Sequence, residues 1–399
     1  MKGWVWNPPL RYKKNVQLGK TMKILFWMSF IWVFYAYAGY MIFLALVVLC
    51  KERRVEEKDA EPAVTMIIAA FNEEKAIDGK IINCFGLDYP QEKLEIIIVS
   101  DASTDNTDEI IKNFEDKGIV YYRMEERGGK TRAQNHAIPK AKGDILVFSD
   151  ATTIFKKDAV RKLVRHFNNE NTGIVAGEEI FVEKIGSNVH SEVSFSWKYE
   201  LFLRRLESGF NTLIGVSGCI FAIRKELHEK LDEELIEDFA LPLLIAEKGY
   251  KVHIEKEAVA YEESVKNAGD EFNRKVRIVR GGMNVVFNLR RLLNPFKHAV
   301  LAFQIISHKI FRWLAPVFLM TMFISNIILM EQGLVYGIFL AIQVVIYLFA
   351  VIGYFMRYSG VHFKVLRIPF HFCMLNAAAL VGGLGFLKGE RSAVWETIR

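Results

Sequence analysis

The sequence is short of cysteine, and its few cysteines are scattered. Its 399 residues include only four, Cys50, Cys84, Cys219 and Cys373, and no two of them form a C-x-x-C pair. This spacing argues against a disulfide framework or a zinc site and favours reduced thiols. Charge of one sign is also scarce, because 52 basic residues against 46 acidic residues leave a net charge of only +6. That balance gives no indication of nucleic acid as a partner.

Apolar residues, in contrast, are abundant. Hydrophobic residues make up 51% of the sequence and aromatic residues 13%, while charged residues still make up 25%. These proportions exclude a disordered or fibrous protein and argue against a purely soluble one. Apolar and polar residues must therefore be segregated into separate segments of the chain.

Four runs without Asp, Glu, Lys or Arg are long enough to span a bilayer, which takes about 20 residues of helix. They are Ile24–Cys50, Trp313–Met330, Leu334–Met356 and Ile368–Leu387. The first run is too long for a cleaved signal peptide, and no small-residue cleavage site follows it. We therefore predict one leading and three trailing transmembrane helices. The predicted order is a basic tail (1–23), one span (24–50), a water-exposed domain (51–283), a connecting segment (284–312), three spans (313–387) and a C-terminal tail (388–399).

The connecting segment combines apolar residues with five basic ones, Arg290, Arg291, Lys297, Lys309 and Arg312. This mixture predicts amphipathic helices in the membrane interface, and the alternative is a soluble helix packed on the domain. The positive-inside rule gives almost no preference for either orientation of the domain across the membrane, because basic residues are nearly equal in number on the two sides. Six basic residues precede the first span, and seven lie in the two segments 51–58 and 357–367 on the domain's side.

Between Val64 and Tyr261, short apolar runs alternate with helical patterns. Strands are predicted at Val64–Ala70, Leu94–Ser100, Gly118–Tyr122 and Asp144–Phe148, and helices at about Lys75–Leu87, Asn106–Glu115 and Lys130–Lys140. This alternation predicts an α/β domain with a mostly parallel, Rossmann-like sheet. Ligands of such sheets bind at the carboxyl ends of the strands.

Acidic and hydroxyl side chains follow three of these strands. The first strand runs into Phe71-Asn72-Glu73-Glu74 instead of a G-x-G-x-x-G loop, which disfavours a nicotinamide enzyme. The second strand ends in S-D-A-S-T-D-N-T from Ser100, and the fourth ends in S-D-A-T-T from Ser149. One such end is typical of a helix cap. Three successive ends with the same chemistry indicate a site for a divalent cation and a diphosphate.

At these motifs the sequence resembles the membrane-integral family-2 glycosyltransferases, which include cellulose, hyaluronan, chitin and poly-N-acetylglucosamine synthases. The resemblance extends from Tyr35-Ala36-Tyr37-Ala38-Gly39-Tyr40 in the first span to the C-terminus. It implies a GT-A fold and an inverting transfer from a nucleotide sugar, with a UDP-sugar as the expected donor. A glycan or lipid-linked acceptor and the lipid bilayer are the other implied partners. Nucleotide-sugar supply would place the domain on the cytoplasmic side of a bacterial inner membrane.

The resemblance also implies which residues hold the donor. Ala70, Asn72, Glu73 and Asp101 would bind its uracil and ribose. Lys130 resembles the lysine of the family's G-K-x-x-A-x-N segment. A lysine that opens a helix after a glycine pair also suits a phosphate, although an ordinary solvated helix start is the alternative.

By the same resemblance, Asp150 matches the first aspartate of the family's D-x-D metal motif. Thr152 stands in place of the second aspartate, and a hydroxyl is a poorer cation ligand than a carboxylate. We still expect Mg²⁺ or Mn²⁺ at Asp150, because the charge of a diphosphate leaving group needs neutralising.

The pair Glu237-Asp238 matches the family's acidic motif, and Asp238 is the predicted catalytic base. It would take the proton from the acceptor hydroxyl as that oxygen attacks the anomeric carbon opposite the nucleotide. Glu237 would either raise the proton affinity of Asp238 or bond to the acceptor. The alternative is an acidic helix start favoured by the helix dipole.

Three residues are predicted near the acceptor. Gly218 and Cys219 belong to a stretch that resembles the loop and strand lining the family's acceptor site, where glycine lets a sugar approach the backbone. Trp197 lies on a predicted helix near the acceptor entrance and could stack on a sugar, although a buried core tryptophan is the alternative.

The segment around Arg277 departs from the family pattern. Processive relatives carry Q-x-x-R-W there, and this chain has Arg274 for Gln and Ile278 for Trp. Arg277 keeps the position of the motif arginine and, with Arg280, is predicted to face the diphosphate. The loss of the Trp platform leaves single addition and processive synthesis as alternatives.

Two other classes of protein are open at this point. A sugar-1-phosphate nucleotidylyltransferase shares this type of sheet, but it should have a Gly-rich, Arg-containing loop after the first strand. A transporter or non-catalytic glycan-binding scaffold would need more ionisable groups within the spans than this chain has.

Overall fold

The computed structural model describes residues 10–50, 60–183, 195–264, 267–358 and 364–390. Parts of four predicted segments therefore lie outside the described residues. These parts are residues 1–9 of the basic tail, residues 51–59, 184–194 and 265–266 of the water-exposed domain, residues 359–363 of the last basic loop and residues 391–399 of the C-terminal tail.

One eight-stranded sheet contains the strands β1 Val64–Ala70, β2 Leu94–Ser100, β3 Ile119–Arg123, β4 Ile145–Asp150, β5 Ile154–Phe155, β6 Thr172–Val182, β7 Ile220–Arg224 and β8 Lys251–Glu263. Their spatial order is β3-β2-β1-β4-β7-β6-β8-β5. Strands β3, β2, β1 and β4 are mutually parallel, and β7 pairs antiparallel with both β4 and β6. The predicted α/β fold with a mostly parallel sheet is confirmed.

The described residues form thirteen α-helices. These are α1 Leu10–Phe34, α2 Tyr40–Leu49, α3 Ile77–Phe85, α4 Thr107–Lys112, α5 Lys130–Ala137, α6 Ala159–Val164, α7 Phe195–Phe210, α8 Glu237–Glu247, α9 Ala268–Asn288, α10 Ala299–Ile305, α11 Phe311–Leu329, α12 Leu334–Tyr358 and α13 Lys364–Leu387.

The first strands of the sheet are buried on both faces. All seven residues of β1 are buried, and so are the last five of β2. Such strands read in the sequence as continuous apolar runs, because helices cover the two faces of a parallel sheet. Their predicted bounds agree with the structure for this reason. The partly polar β3 begins and ends one residue later than predicted.

Four helical stretches are long and apolar enough to cross a membrane, namely Gln17–Leu49, Ala299–Gln332, Leu334–Met356 and Val365–Leu387. Each contains or largely overlaps one predicted span. The second stretch begins 14 residues before the predicted Trp313, because the helix runs on through the connecting segment. Within the connecting segment 284–312, residues 284–288 form the end of α9, and α10 forms the start of the second apolar stretch. The interfacial position of this segment stays a prediction.

The chain divides into two units, one comprising residues 1–42 and 306–383 and the other comprising residues 43–305 and 384–399. Aromatic rings hold the first unit together. The Trp32 ring stacks on Phe311 and Phe318, with ring centroids 3.9 and 4.3 Å apart, and its Nε1 donates to the Phe311 carbonyl at 3.1 Å. Tyr37 donates its hydroxyl proton to Asn376 Oδ1 at 2.9 Å. These interactions satisfy polar groups within apolar helices, as a membrane segment requires.

Candidate functional site

The loops after β1 and β2 are tied together at the carboxyl edge of the sheet. Asn72 follows β1 with φ of 53°, and Ala102 follows β2 with φ of 58°. Both values lie in the left-handed region, which asparagine tolerates and alanine adopts only at a cost. Asn72 Oδ1 accepts a bond from Thr104 N at 2.8 Å, and Ser103 Oγ accepts one from Asn72 N at 3.1 Å. Strained backbone of this kind is typical of functional sites.

Glu73 is buried beside the same loops. Its backbone N–H donates to Thr107 Oγ1 at 2.7 Å, and that hydroxyl donates in turn to Asp105 Oδ1. The predicted donor residue Ala70 lies one step back at the end of β1, where its carbonyl accepts from Asp101 N at 2.8 Å. The structure therefore brings Ala70, Glu73 and Asp101 to one edge.

Asp101 positions the start of helix α5. Its two carboxylate oxygens accept bonds from the backbone N–H groups of Gly128 at 2.9 Å and Gly129 at 2.7 Å. Gly129 has φ of 89°, a conformation that glycine adopts without strain. Lys130 follows directly and opens α5. Asp101 thus orients the turn that carries Lys130.

Lys130 lies at the centre of the candidate site. Its Nζ is 2.6 Å from Asp150 Oδ1 and 2.8 Å from Glu237 Oε1, and it donates to the Gly218 carbonyl at 3.0 Å. Burial alone would lower the pKa of Lys130, but the charges of Asp150 and Glu237 outweigh burial and raise it. The ammonium is therefore a permanent positive charge between two acids.

Asp238 lies beside this ammonium. A Cβ placed on Gly218 would be 3.2 Å from Lys130 Nζ and 3.4 Å from Asp238 Oδ2. Gly218, which has no side chain, therefore lies between Lys130 and Asp238. Lys130 thus contacts Asp150 and Glu237 directly, Asp238 lies across Gly218, and Asp101 binds the turn before Lys130. The roles of these residues stay predictions.

A proline within α8 helps to place Asp238. In a regular helix the carbonyl of Asp238 would accept from the N–H of residue 242, but Pro242 has none. The carbonyl accepts from Val216 N instead, at 2.8 Å. The loop before β7 is therefore fastened to the first turn of α8. Helix α5 fixes the segment just before α8, because Thr131 Oγ1 donates to the Leu235 carbonyl at 2.9 Å.

A second polar cluster joins β6, β8 and α9, and it includes Arg274. Glu179 Oε2 accepts from Ser217 Oγ at 2.5 Å. The Arg274 guanidinium lies 3.8 Å from Glu179 Oε1 and 3.9 Å from Glu262 Oε1. The arginine that replaces the motif glutamine thus lies between two neighbouring carboxyl groups.

The two carboxyl groups of this cluster differ in protonation. Burial and the adjacent Glu179 raise the pKa of Glu262 well above its usual range. Burial would also raise the pKa of Glu179, but hydrogen bonds from Glu262 and Ser217 and the charge of Arg274 lower it. Of the two, Glu262 therefore holds a proton more readily, and its hydrogen bond to Glu179 favours the ionised form of Glu179.

The remaining predicted residues lie less directly in the cluster. Trp197 Nε1 donates to the Glu179 carbonyl at 2.8 Å. The thiol of Cys219 packs in the hydrophobic core, so the core would have to open before this side chain could touch an acceptor. Arg277 lies half-buried on α9, and Arg280 pairs with Glu390.

The acids around Lys130 fit a divalent cation only in part. No group of three or more His, Cys, Asp or Glu side chains within the described ranges is arranged to enclose a metal ion. Mg²⁺ is commonly bound by one or two carboxylates together with substrate phosphates and water. The adjacent oxygens of Asp150 and Glu237 fit that mode of binding, and they do not form an all-protein cage.

Residues 65–232 match the family model described as "Glycosyl transferase family 2". The match includes the strand ends with Asn72, Asp101 and Asp150 and the lysine at the start of α5. This segment of 168 residues, less than half of the chain, is similar to family 2 glycosyltransferases. The resemblance stated from the sequence is thereby confirmed.

Two curated relatives are similar to more than half of this chain. The chain is 28% identical to a probable glycosyltransferase, YdaM, of Bacillus subtilis over 257 residues, which cover 59% of this chain and 58% of the relative. It is 27% identical to a poly-beta-1,6-N-acetyl-D-glucosamine synthase of Staphylococcus aureus over 236 residues, which cover 57% of this chain and 56% of the relative. The match thus spans less than two thirds of either relative.

A solved structure with the same fold is the mannosyltransferase PcManGT from Pyrobaculum calidifontis, in complex with GDP-Man and Mn²⁺. The TM-score is 0.73 at 20% identity, over 94% of this chain and 99% of that one. This likeness confirms the predicted GT-A architecture with apolar helices.

Sequence reasoning missed the Glu179–Glu262 pair and a buried lysine, Lys80, described below. Glu178 and Glu179 are two successive acids in a strand that is otherwise largely buried, which is a signal that could have been noticed. Nothing in the sequence pairs Glu179 with Glu262, because 83 positions separate them.

Proposed function

We propose that this protein is an inverting glycosyltransferase that moves a sugar from a nucleoside diphosphate sugar to a glycan or lipid-linked acceptor at a membrane. One observation carries the proposal. Asp150 and Glu237 pair with the Lys130 ammonium, and Asp238 lies across Gly218 from it. Acids and a cation at the carboxyl edge of the sheet suit a charged donor, because ligands of open α/β sheets bind outside the carboxyl ends of the strands.

In this proposal the base and ribose of the donor lie against the loops with Asn72, Glu73 and Asp101, and its diphosphate lies near Lys130. The ammonium group is able to donate to a phosphate oxygen once the donor competes for it. The resemblance stated from the sequence implies UDP as the nucleotide, and the fold neighbour was solved with GDP-Man. Both nucleotides therefore belong in the experiment.

Asp238 is the proposed base. Its carboxylate accepts the proton of the acceptor hydroxyl as the oxygen attacks the anomeric carbon and the nucleoside diphosphate leaves from the opposite face. The bond between Val216 N and the Asp238 carbonyl fixes the backbone of the base. Glu237 is held by Lys130 at 2.8 Å, so its proposed role is to position that lysine.

A divalent cation fits the proposal at Asp150, with Glu237 as its neighbour. When bound, Mg²⁺ or Mn²⁺ would neutralise charge that develops on the diphosphate leaving group. Asp150 is 30% exposed in its side chain, and it is therefore open to a ligand from solvent.

The acceptor is proposed to approach from the side of Gly218 and Trp197. Ile278 is exposed on α9 where processive relatives have tryptophan, so no aromatic ring is available there to hold a terminal sugar. We therefore favour the addition of a single sugar over processive synthesis. The domain is proposed to face the cytoplasm of a bacterial inner membrane, where nucleotide sugars are available.

The test uses the full-length protein in detergent with panels of UDP-sugars and GDP-sugars and a lipid-linked acceptor. The proposal expects release of the nucleoside diphosphate and a product heavier by one sugar. Asp238→Asn should lower kcat about 10²–10⁴-fold, as loss of a general base does, while nucleotide affinity is kept. Asp116→Asn, at an exposed position, is the matched control and should leave turnover unchanged.

Each contrary outcome is informative. Full turnover by Asp238→Asn would refute the assignment of the base. Absence of nucleotide release with every donor would favour a glycan-binding scaffold. A ladder of product masses would favour the processive alternative.

A further inference from the structure

A lysine is buried directly behind the loop that carries Asp150. Lys80 lies on α3 and has no exposed surface, which makes it one of the largest fully buried side chains of the domain. Lysine is almost never fully buried unless its charge is paired. The partners of this ammonium group therefore require an explanation.

Within the part of the chain that the structure describes, the Lys80 ammonium contacts neutral groups around that loop and no ionised partner. Its Nζ donates to Ser149 Oγ at 2.7 Å and to the Thr153 carbonyl at 2.8 Å. The third contact is the ring of Phe155, with the centroid 4.2 Å away. Ser149 directly precedes Asp150, and Thr153 closes the turn that follows it. Lys80 therefore holds both ends of the segment 149–153.

Further hydrogen bonds fix the same segment. Ser149 Oγ and Thr153 Oγ1 are 3.1 Å apart, and Thr153 Oγ1 donates to the Asp150 carbonyl at 3.1 Å. One helical turn after Lys80, Asn83 Nδ2 donates to the Phe155 carbonyl, and Asn83 Oδ1 accepts from Phe155 N, both at 2.8 Å. Helix α3 thus serves as a rigid support for the loop.

Hydrogen bonds that only support the 149–153 segment would not require a positively charged donor. Burying an ammonium group among neutral partners costs free energy, and a neutral side chain could fill the same space. Burial lowers the pKa of Lys80, while the nearby Cys84 and Cys219 and, more weakly, the carboxylate of Asp150 act against the shift. The positive charge of Lys80 therefore stabilises the carboxylate of Asp150, although burying that charge costs free energy.

From this geometry we propose that Lys80 is a positioning residue, which holds the 149–153 loop so that Asp150 can bind the metal-associated diphosphate of the donor. This inference rests on the proposed function, because it assigns Asp150 to that role. Lys80 itself touches neither donor nor acceptor. The prediction is therefore selective, since diphosphate binding should depend on Lys80 and nucleoside binding should not.

The experiment compares ligand binding by the full-length protein in detergent, using titration calorimetry. The probes are UDP with Mn²⁺, GDP with Mn²⁺, and the corresponding nucleosides without metal. Lys80→Met should weaken binding of the preferred diphosphate at least tenfold and change nucleoside affinity less than twofold. Mn²⁺ binding followed by electron paramagnetic resonance should weaken in parallel.

Matched variants separate positioning from general stability. Cys84→Ala removes a buried group from the same helix, where the thiol contacts Met66. This variant should lower the melting temperature and leave diphosphate affinity within twofold. Ser149→Ala removes one partner of Lys80 and should weaken diphosphate binding about threefold. Combined with Lys80→Met, it should add nothing further, because both substitutions break the same support.

The outcomes distinguish this inference from the function on which it rests. If Asp150→Asn binds the diphosphate as tightly as the wild type, the proposed function fails at its donor site. If Asp150→Asn loses binding while folded Lys80→Met keeps it, the role of Lys80 is refuted. Should Lys80→Met not fold, Ser149→Ala decides the question, and unchanged diphosphate affinity in that variant overturns the proposal.

Discussion

Replacing Lys130 by methionine tests whether its ammonium compensates the acids of the site. The side chain of Glu237 is only 8% exposed, and its ion pair with Lys130 measures 2.8 Å. Removing one partner of a buried pair costs about 3–5 kcal/mol, because the other charge is left uncompensated. Asp150 is nearly one-third exposed, and water screens its share of the interaction. We therefore expect a loss of about 2 kcal/mol in the free energy of unfolding.

A loss of this size is measurable by thermal unfolding at a fixed scan rate. For a domain of this size it corresponds to a melting temperature lower by about 4–8 °C. Lys130→Met combined with Glu237→Gln should recover most of the loss, because the second change removes the uncompensated charge. Mn²⁺ should stabilise the single variant more than the wild type, because in the variant no lysine competes with the cation for Asp150 and Glu237.

Two results would refute this reasoning. Unchanged melting of Lys130→Met would mean that the acids do not need the ammonium. A double variant no more stable than the single variant would mean that Glu237 is not the group left uncompensated. Glu233→Gln combined with Lys130→Met serves as the control, because Glu233 is an exposed acid without a contact to Lys130.

Three further predictions concern the sheet and its loops. A Cβ on Gly177 would lie 2.6 Å from the Ala258 carbonyl oxygen, so Gly177→Ala should lower stability by about 1–3 kcal/mol in chemical denaturation. Ala102→Gly should raise stability by about 1 kcal/mol, because glycine adopts φ of 58° without strain. Glu262 has a raised pKa in the folded state, so its contribution to stability is lost as pH rises through that pKa. Glu262→Gln cannot ionise, so its melting temperature should gain on that of the wild type as pH rises above the ordinary glutamate pKa of 4.5; parallel curves would contradict the raised pKa.

The sequence predicted those parts of the fold that depend on local patterns. The apolar runs of β1 and β2 and the acidic residues after them were sufficient to place Asn72 and Asp101 at one edge. Parallel topology brings the carboxyl ends of such strands together, whatever lies between them in the chain. The resemblance to a known family added Asp238, which no local pattern distinguishes from an ordinary acidic helix start.

The parts that could not be predicted depend on contacts between distant segments. Lys80 lies in a helix whose sequence is typical of an amphipathic surface helix, and its burial results from residues about 70 positions later. The bridge from Lys130 to Glu237 depends on the packing of α5 against the start of α8. Neither contact has a signature in spacing, because each is fixed only when the sheet is complete.

The charge balance at the site leads to a last prediction, on removal of the metal. Asp150, Glu237 and the proposed base Asp238 place three acids around a single Lys130 ammonium. A diphosphate brings further negative charge to this region, and like charges repel strongly where water is partly excluded. Lys80, behind the loop, offsets only part of that repulsion. We therefore expect the affinity for the nucleoside diphosphate to fall at least tenfold when EDTA removes divalent cations, while uridine or guanosine binds equally in both conditions. Equal diphosphate affinity with and without EDTA would mean that the lysines alone neutralise enough of the charge for the diphosphate to bind. The replacement of the second motif aspartate by Thr152 would then indicate a site that binds its donor without a metal ion.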